Sequence, residues 1–169
     1  NISLKSLRKN LSLVSQDIIL FDDTIKNNIS YAKSDASNDE IEKACKYAAA
    51  DEFIDKLPDG YNTLIGENGI RLSGGQKQRI CIARALAANP DFIICDEVTS
   101  ALDQIVQEGI LKLLLRLQEE LGLTYLFITH DISTVRAISD QVVVMSEGRV
   151  VEQGSKTKVF SPPHPAYTE

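Results

Sequence analysis

The sequence predicts an α/β fold with a parallel sheet, and two observations carry that prediction. Short apolar runs that end in polar residues, Phe92-Ile-Ile-Cys95 before Asp96-Glu97 and Tyr125-Leu-Phe-Ile128 before Thr129-His130-Asp131, alternate with segments of helical periodicity. The connections between them are short, which in such a unit means right-handed crossovers. Residues 17 to 60 read as mostly helical.

Taken in order, Leu11 to Ser15 is a short alternating run that reads as a strand and leads into Gln16-Asp17. Asp22-Asp23-Thr24 supplies N-cap chemistry for a helix through Ile25 and Ile29, and Ser37-Asn38 opens another with Ile41, Ala44, Cys45 and Ala48 on one face. Asp51 is expected to cap a further turn through Phe53, Ile54 and Leu57, stopped by Pro58-Asp59-Gly60. Gly66-Glu-Asn-Gly69 reads as a loop, and Ser73-Gly-Gly-Gln76 begins a long helix that carries Ile80, Ala83 and Ala87 before Asn89-Pro90 ends it.

Phe92-Ile-Ile-Cys95 has the bias of a strand buried on both faces. Val106, Ile110, Leu113, Leu114, Leu117 and Leu121 recur at helical spacing, with Gly122 placed as a C-cap. Tyr125 to Ile128 is a second buried strand. A helix through Val135 and Ile138 follows, then strand Val142-Val-Val-Met145, a turn at Glu147-Gly148 and strand Val150-Val151. Ser161-Pro-Pro-His-Pro165 reads as a proline-stiffened tail.

With 43% hydrophobic and 25% charged residues in 169, the chain has the size and apolar content of a single globular domain, which excludes disordered and collagen-like classes. No apolar run approaches the ~20 residues that span a bilayer, and no secretory leader opens the chain. Cys45, Cys81 and Cys95 are odd in number and without metal-ligand spacing, which fits a reduced compartment, cytosol by default. The net charge of -6 lies in the second half, where 6 basic residues face 12 acidic ones. No basic stripe exists, so nucleic acid is not an expected partner. A chain that starts at Asn1 rather than methionine is expected to be a piece of a longer protein.

Chemistry collects at the strand exits. Ligands of parallel sheets lie beyond the carboxyl ends of the strands, which is where Asp96, Glu97, His130 and Gln16 fall. A carboxylate after a buried strand can hold Mg2+ through hard oxygen, and the next one can polarise a water, although a strand must in any case end in something polar. His130 has the choice between a satisfied core histidine and a phosphate contact. Ser73 and Gln76 stand at capping-box spacing. The two glycines between them cost ~1 kcal/mol each relative to alanine, and a capping box does not need them. What they permit is approach of an anion to bare N-H groups at the positive end of a helix.

Leu72-Ser-Gly-Gly-Gln76, Phe92-Ile-Ile-Cys-Asp-Glu97, Ser100-Ala-Leu-Asp103 and Ile128-Thr-His130, in that order, resemble the nucleotide-binding domain of ATP-binding cassette (ABC) transporters. The resemblance implies an incomplete P-loop NTPase (RecA-like) parallel sheet with an inserted helical subdomain. Its parts would be a core strand over 1–16, a helical subdomain with the signature motif over 17–88, the RecA-like core over 89–155 and a tail over 156–169. It implies catalytic roles for Glu97, His130 and Gln16, Mg2+ at Asp96 and Gln16, and ATP contacts from Ser73, Gly74, Gly75, Gln76 and the D-loop Asp103. The implied partners are a second nucleotide-binding domain, joined head to tail with ATP at the interface, and transmembrane domains touched near Glu67. On that reading Gly75→Asp in the parent protein is expected to abolish ATP-driven dimerisation and hydrolysis with little loss of melting temperature. The implied location is the cytoplasmic face of the inner or plasma membrane.

Two departures stand out. The phosphate-gripping pattern G-x-x-x-x-G-K-[ST] does not occur, which predicts that the chain alone does not hydrolyse ATP. The halves also resemble different branches. Residues 11 to 79, with Gln16-Asp-Ile-Ile-Leu-Phe21 and Leu57-Pro-Asp-Gly-Tyr61, are similar to lipid and multidrug exporters. Residues 99 to 168, with Leu123-Thr-Tyr-Leu-Phe-Ile-Thr-His-Asp131 and Pro163-His-Pro165, are similar to peptide importers, and Val98 follows neither branch. Two other readings remain at this stage: a non-hydrolysing module that lends its signature motif to a partner's ATP, and a lobe of a chromosome-maintenance ATPase. The second predicts a coiled-coil heptad before the signature, where this chain has a short broken helical region.

Overall fold

The computed structural model describes residues 3–69 and 71–162 of the chain. It divides into two compact units, Asn1–Ile128 and Thr129–Glu169.

In the first unit Ser3 caps helix α1 (Leu4–Asn10), which runs directly into strand β1 (Leu11–Val14). Thr24 caps α2 (Ile25–Ser30) by accepting from the Asn27 amide, and α3 (Asn38–Tyr47) starts at a complete capping box between Ser37 and Glu40. The expected cap at Asp51 is corrected at α4 (Asp51–Ile54). Ala50 holds the cap position without a side-chain bond, and Asp51 is the first helical residue, where the positive helix end still favours its carboxylate. Short 3-10 turns at Gly60–Asn62 and Glu67–Gly69 precede α5 (Gly74–Ala87). Strand β2 (Phe92–Asp96), helix α6 (Gln104–Leu121) and strand β3 (Thr124–Ile128) follow. Gly122 ends α6 at φ 66, a left-handed conformation that glycine adopts without penalty.

The three strands form a parallel sheet in the order β1-β2-β3. One expectation fails here, because the strands are not buried on both faces. Ile93 and Cys95 are buried while Phe92, Ile94 and Asp96 are half-buried, and on β3 Leu126 and Ile128 stay 47% and 48% exposed. The reason is that α5 covers one face: Ser12 on β1 donates its hydroxyl to the Ala85 carbonyl of α5 at 3.0 Å. Val14 shares that parity and is buried, whereas Leu13 points the other way and is 59% exposed. On α6, Ile110, Leu113, Leu114 and Leu117 make one buried stripe, each adding ~1.5 to 3 kcal/mol of apolar burial.

In the second unit Asp131 caps α7 (Ile132–Ile138), accepting from the Ser133 and Thr134 amides. Strands β4 (Gln141–Ser146) and β5 (Arg149–Ser155) form an antiparallel hairpin, with a turn at Glu147 and Gly148 whose φ values are 49 and 75. Ser155 caps α8 (Lys156–Val159), and the Arg136 guanidinium lies 4.4 Å from the Phe160 ring centre. The proline tail beyond Pro162 lies outside the described residues. Among the described residues no helix is long and apolar enough to cross a membrane.

Candidate functional site

The carboxyl edge of the sheet brings three of the expected residues to one border. The register pairs Val14 with Cys95 and Asp96 with Ile128, so Gln16, Asp96 and Glu97 leave adjacent strands at the same edge. Gln16 is exposed and Asp96 half-buried. Glu97 has φ 50, in the left-handed region where a non-glycine residue costs ~1 to 3 kcal/mol; Ala49, Asn89 and Glu147 share that conformation, but of the four only Glu97 lies at this edge of the sheet. Several bonds hold it there. Its amide donates to the Ile128 carbonyl at 2.9 Å, and its own carbonyl accepts from the Ser100 amide at 3.1 Å and the Ser100 hydroxyl at 2.9 Å. Val98 and Thr99, both buried, anchor the turn. Such strain persists only where surroundings over-determine it, and it collects at functional sites.

His130 belongs to the second unit, where it is exposed beside the Asp131 cap. Among the described residues no three His, Cys, Asp or Glu side chains cluster as a metal cage. A single carboxylate at Asp96 with the Gln16 amide oxygen at the same edge fits an ion that keeps most of its water, as Mg2+ does.

The second part of the site is the start of α5. The capping box is complete: the Ser73 amide donates to Gln76 Oε1 at 2.9 Å, and the Gln76 amide to Ser73 Oγ at 3.3 Å. The Gly74 and Gly75 amides are the first two of the helix and have no intrahelical acceptor. Asp103 is the N-cap of α6, accepting from the Val106 amide at 3.0 Å. A groove of about 380 Å³ lies between these helix starts, lined by Ser73, Gly75, Gln76, Ile105 and Val106 among others. A larger groove of about 570 Å³, beside Asn89, Pro90 and Asp91, opens at the opposite end of β2, away from the edge where parallel sheets bind ligands.

The packing around Gly75 counts against the expectation that Gly75→Asp spares the fold. A Cβ on Gly75 would lie 2.8 Å from Val106 Cγ1, and one on Gly74 3.2 Å from Leu102 Cδ2. Neither glycine has a positive φ, so close packing on the start of α6, rather than a glycine-only backbone, resists a side chain there.

Sequence reasoning missed the far end of α5. Arg84 donates to the Asn28 carbonyl at 2.7 Å, to Asn28 Oδ1 at 3.0 Å and to the Ile19 carbonyl at 2.9 Å. Burial pulls its pKa below the usual guanidinium value. Asn28 is fully buried and also bonds Phe21 through both amide and carbonyl, at 2.8 and 3.0 Å. Beside this network the tilted rings of Phe21 and Tyr31 lie with centres 4.5 Å apart, with Ile19 near them in sequence, and all three remain exposed. The available signal was a polar residue, Asn28, on the apolar stripe of Ile25 and Ile29.

The family model described as ABC transporter matches residues 1–100. The chain belongs to the ABC transporter family. Relatives are the ATP-dependent lipid A-core flippase of Legionella pneumophila (strain Lens), 51% identical over 159 residues that make up 94% of this chain and 26% of the flippase. The mitochondrial iron-sulfur clusters transporter atm1 of Aspergillus fumigatus is 43% identical over 160 residues, 95% of this chain and 22% of that protein. The structure of a bacterial Atm1-family ABC exporter with ATP bound superposes with a TM-score of 0.80 at 43% identity, covering 92% of this chain and 27% of that one. The chain therefore spans about a quarter of the length of these relatives, and its fold is that of an ABC ATPase domain of the P-loop NTPase type. Because the flippase match takes in 94% of the chain, the exporter likeness runs well into the second half and is not confined to residues 11 to 79.

Proposed function

We propose that these residues form most of the ATP-hydrolysing domain of an ABC exporter, in which ATP turnover drives movement of a solute across a membrane. The observation that carries the reading is the strained Glu97, fixed at the exit of β2 next to Asp96. Held rigidly there, the Glu97 carboxylate acts as general base on the water that attacks the γ-phosphate. Asp96 and Gln16 would hold Mg2+ on its water side, and the ion would supply charge neutralisation of the phosphates. His130, from the second unit, is the residue expected to hold the γ-phosphate.

The start of α5 acts on a different nucleotide. The Ser73 to Gln76 turn, through the Gly74 and Gly75 amides left outside its capping box, faces ATP held by a second, head-to-tail copy of the domain, with Asp103 in the D-loop. The division over 1–16, 17–88, 89–155 and 156–169 is kept as part of the proposal by functional role, while the compact units of the structure divide at 128/129. The exposed Ile19, Phe21 and Tyr31 cluster has the aromatic, apolar character of an interaction anchor, and it fits docking of transmembrane domains at the cytoplasmic face. The lipid A-core flippases and the Atm1-family exporter, as named, favour export over import.

Glu97→Gln in the intact transporter tests the reading. The expected result is ATP binding at wild-type affinity with hydrolysis slowed ~10²- to 10⁴-fold, the usual worth of a general base. Unchanged turnover would remove Glu97 from the chemistry.

A further inference from the structure

The glycine pair at the start of α5 points to residues on another helix. Val106 and Leu102 occupy the space where side chains on Gly75 and Gly74 would stand, at 2.8 and 3.2 Å from the corresponding Cβ positions. Both belong to the segment organised by Asp103, whose carboxylate fixes the Val106 amide at 3.0 Å. Val106 is half-buried and packed against the core, and its branched Cβ restricts χ1. The chain of contact therefore runs from the Asp103 cap through the Val106 methyl groups to the Cα of Gly75.

We propose that Val106 is a positioning residue: its methyl groups set the height of the α5 start against α6, and so aim the Gly74 and Gly75 amides at the phosphate. The proposal rests on the reading of Ser73 to Gln76 as a phosphate contact. It gives the glycines a double purpose, since the absent side chains admit an anion on one side and Val106 on the other. It also means that a displacement of α6 by a fraction of an ångström is felt at Gly75.

The test uses the intact transporter and reads the KM for MgATP, kcat and the thermal midpoint in parallel. Val106→Ala removes both γ-carbons and is expected to lower kcat/KM about tenfold, mainly through KM, since misplacement by ~1 Å can cost ~10²-fold. Val106→Thr keeps both γ positions and is expected to stay within about twofold of wild type. Gly75→Ala should raise KM by itself, and Gly75→Ala combined with Val106→Ala should lie closer to wild type than Gly75→Ala alone, because the new Cβ enters the vacated space. A Val106→Ala protein with a lowered thermal midpoint but wild-type KM and kcat would make the contact purely structural and overturn the proposal, as would a double variant no better than Gly75→Ala. Ser73→Ala separates the two readings. If it raises KM while Val106→Ala does not, the positioning role alone falls; if Ser73→Ala leaves KM unchanged, the phosphate contact falls and the positioning role with it.

Discussion

The two ends of α5 are held by opposite means. At its start, the Ser73 and Gln76 bonds close within four residues, and the glycines between them are exposed or half-buried. At its far end, the bonds of Arg84 reach back 56 and 65 residues along the chain, to Asn28 and Ile19. A single helix of 14 residues, ~20 Å long, joins a solvent-exposed start to a buried network that carries an aromatic patch. A rod anchored firmly at one end and lightly at the other can pass a displacement from the light end to the firm one. That is the mechanical property a domain needs if phosphate contact at Ser73 to Gln76 is to be felt at Phe21 and Tyr31.

The largest expected effect comes from breaking the firm end. Arg84→Met keeps much of the stem volume but leaves the Ile19 and Asn28 carbonyls and Asn28 Oδ1 without their charged donor. The loss is expected to be on the order of 3 kcal/mol, read from the denaturant midpoint at unchanged slope. A loss below ~1 kcal/mol would mean that apolar packing of α2 on α5, and not this network, holds that end.

The difference between the ends also explains what was legible in the sequence. Caps are local, so Thr24, Ser37 and Ser73 could be read from spacing, whereas Asp103 and Asp131, read for other reasons, also prove to cap the helices that follow them. The strand exits were legible because Asp96-Glu97 follows an uninterrupted apolar run. The side of the sheet that stays exposed was not, since Leu13, Leu126 and Ile128 look like core residues in the sequence and the helix that covers the other face is 60 or more residues from Leu13. The Arg84 to Asn28 network and the Gly75 to Val106 contact are products of tertiary packing, and spacing alone could not have placed them. The two glycines taken as a phosphate signal owe at least part of their presence to Val106, a reminder that a residue type which suits a ligand can be required by a neighbour.

At the light end, Ser73→Ala removes one partner of the capping box and is expected to lower stability by about 1 kcal/mol. In the intact transporter the same change should weaken ATP-driven pairing of the two domains by more than this stability loss accounts for. Equal losses in the two measurements would reduce Ser73 to a cap.

The smallest stability effect is expected on the outer surface of the firm end, and it sharpens the comparison most. Tyr31 is 67% exposed, and its ring centre lies 4.5 Å from that of Phe21 and 5.9 Å from the Arg84 guanidinium. Exposed contacts of this kind contribute ~0.5 kcal/mol each, so Tyr31→Ala should shift unfolding by less than ~1 kcal/mol, far below Arg84→Met. Docking is a different matter, because an aromatic anchor at the centre of an interface carries ~2 kcal/mol or more, a factor of ~30 in an equilibrium. On the proposed reading, the variant is therefore expected to fold as wild type and bind ATP normally, yet to lose solute-stimulated ATP turnover in the intact transporter. Transport and stimulation at wild-type levels in Tyr31→Ala would separate the aromatic patch from docking and leave the Arg84 network as a stabilising device alone.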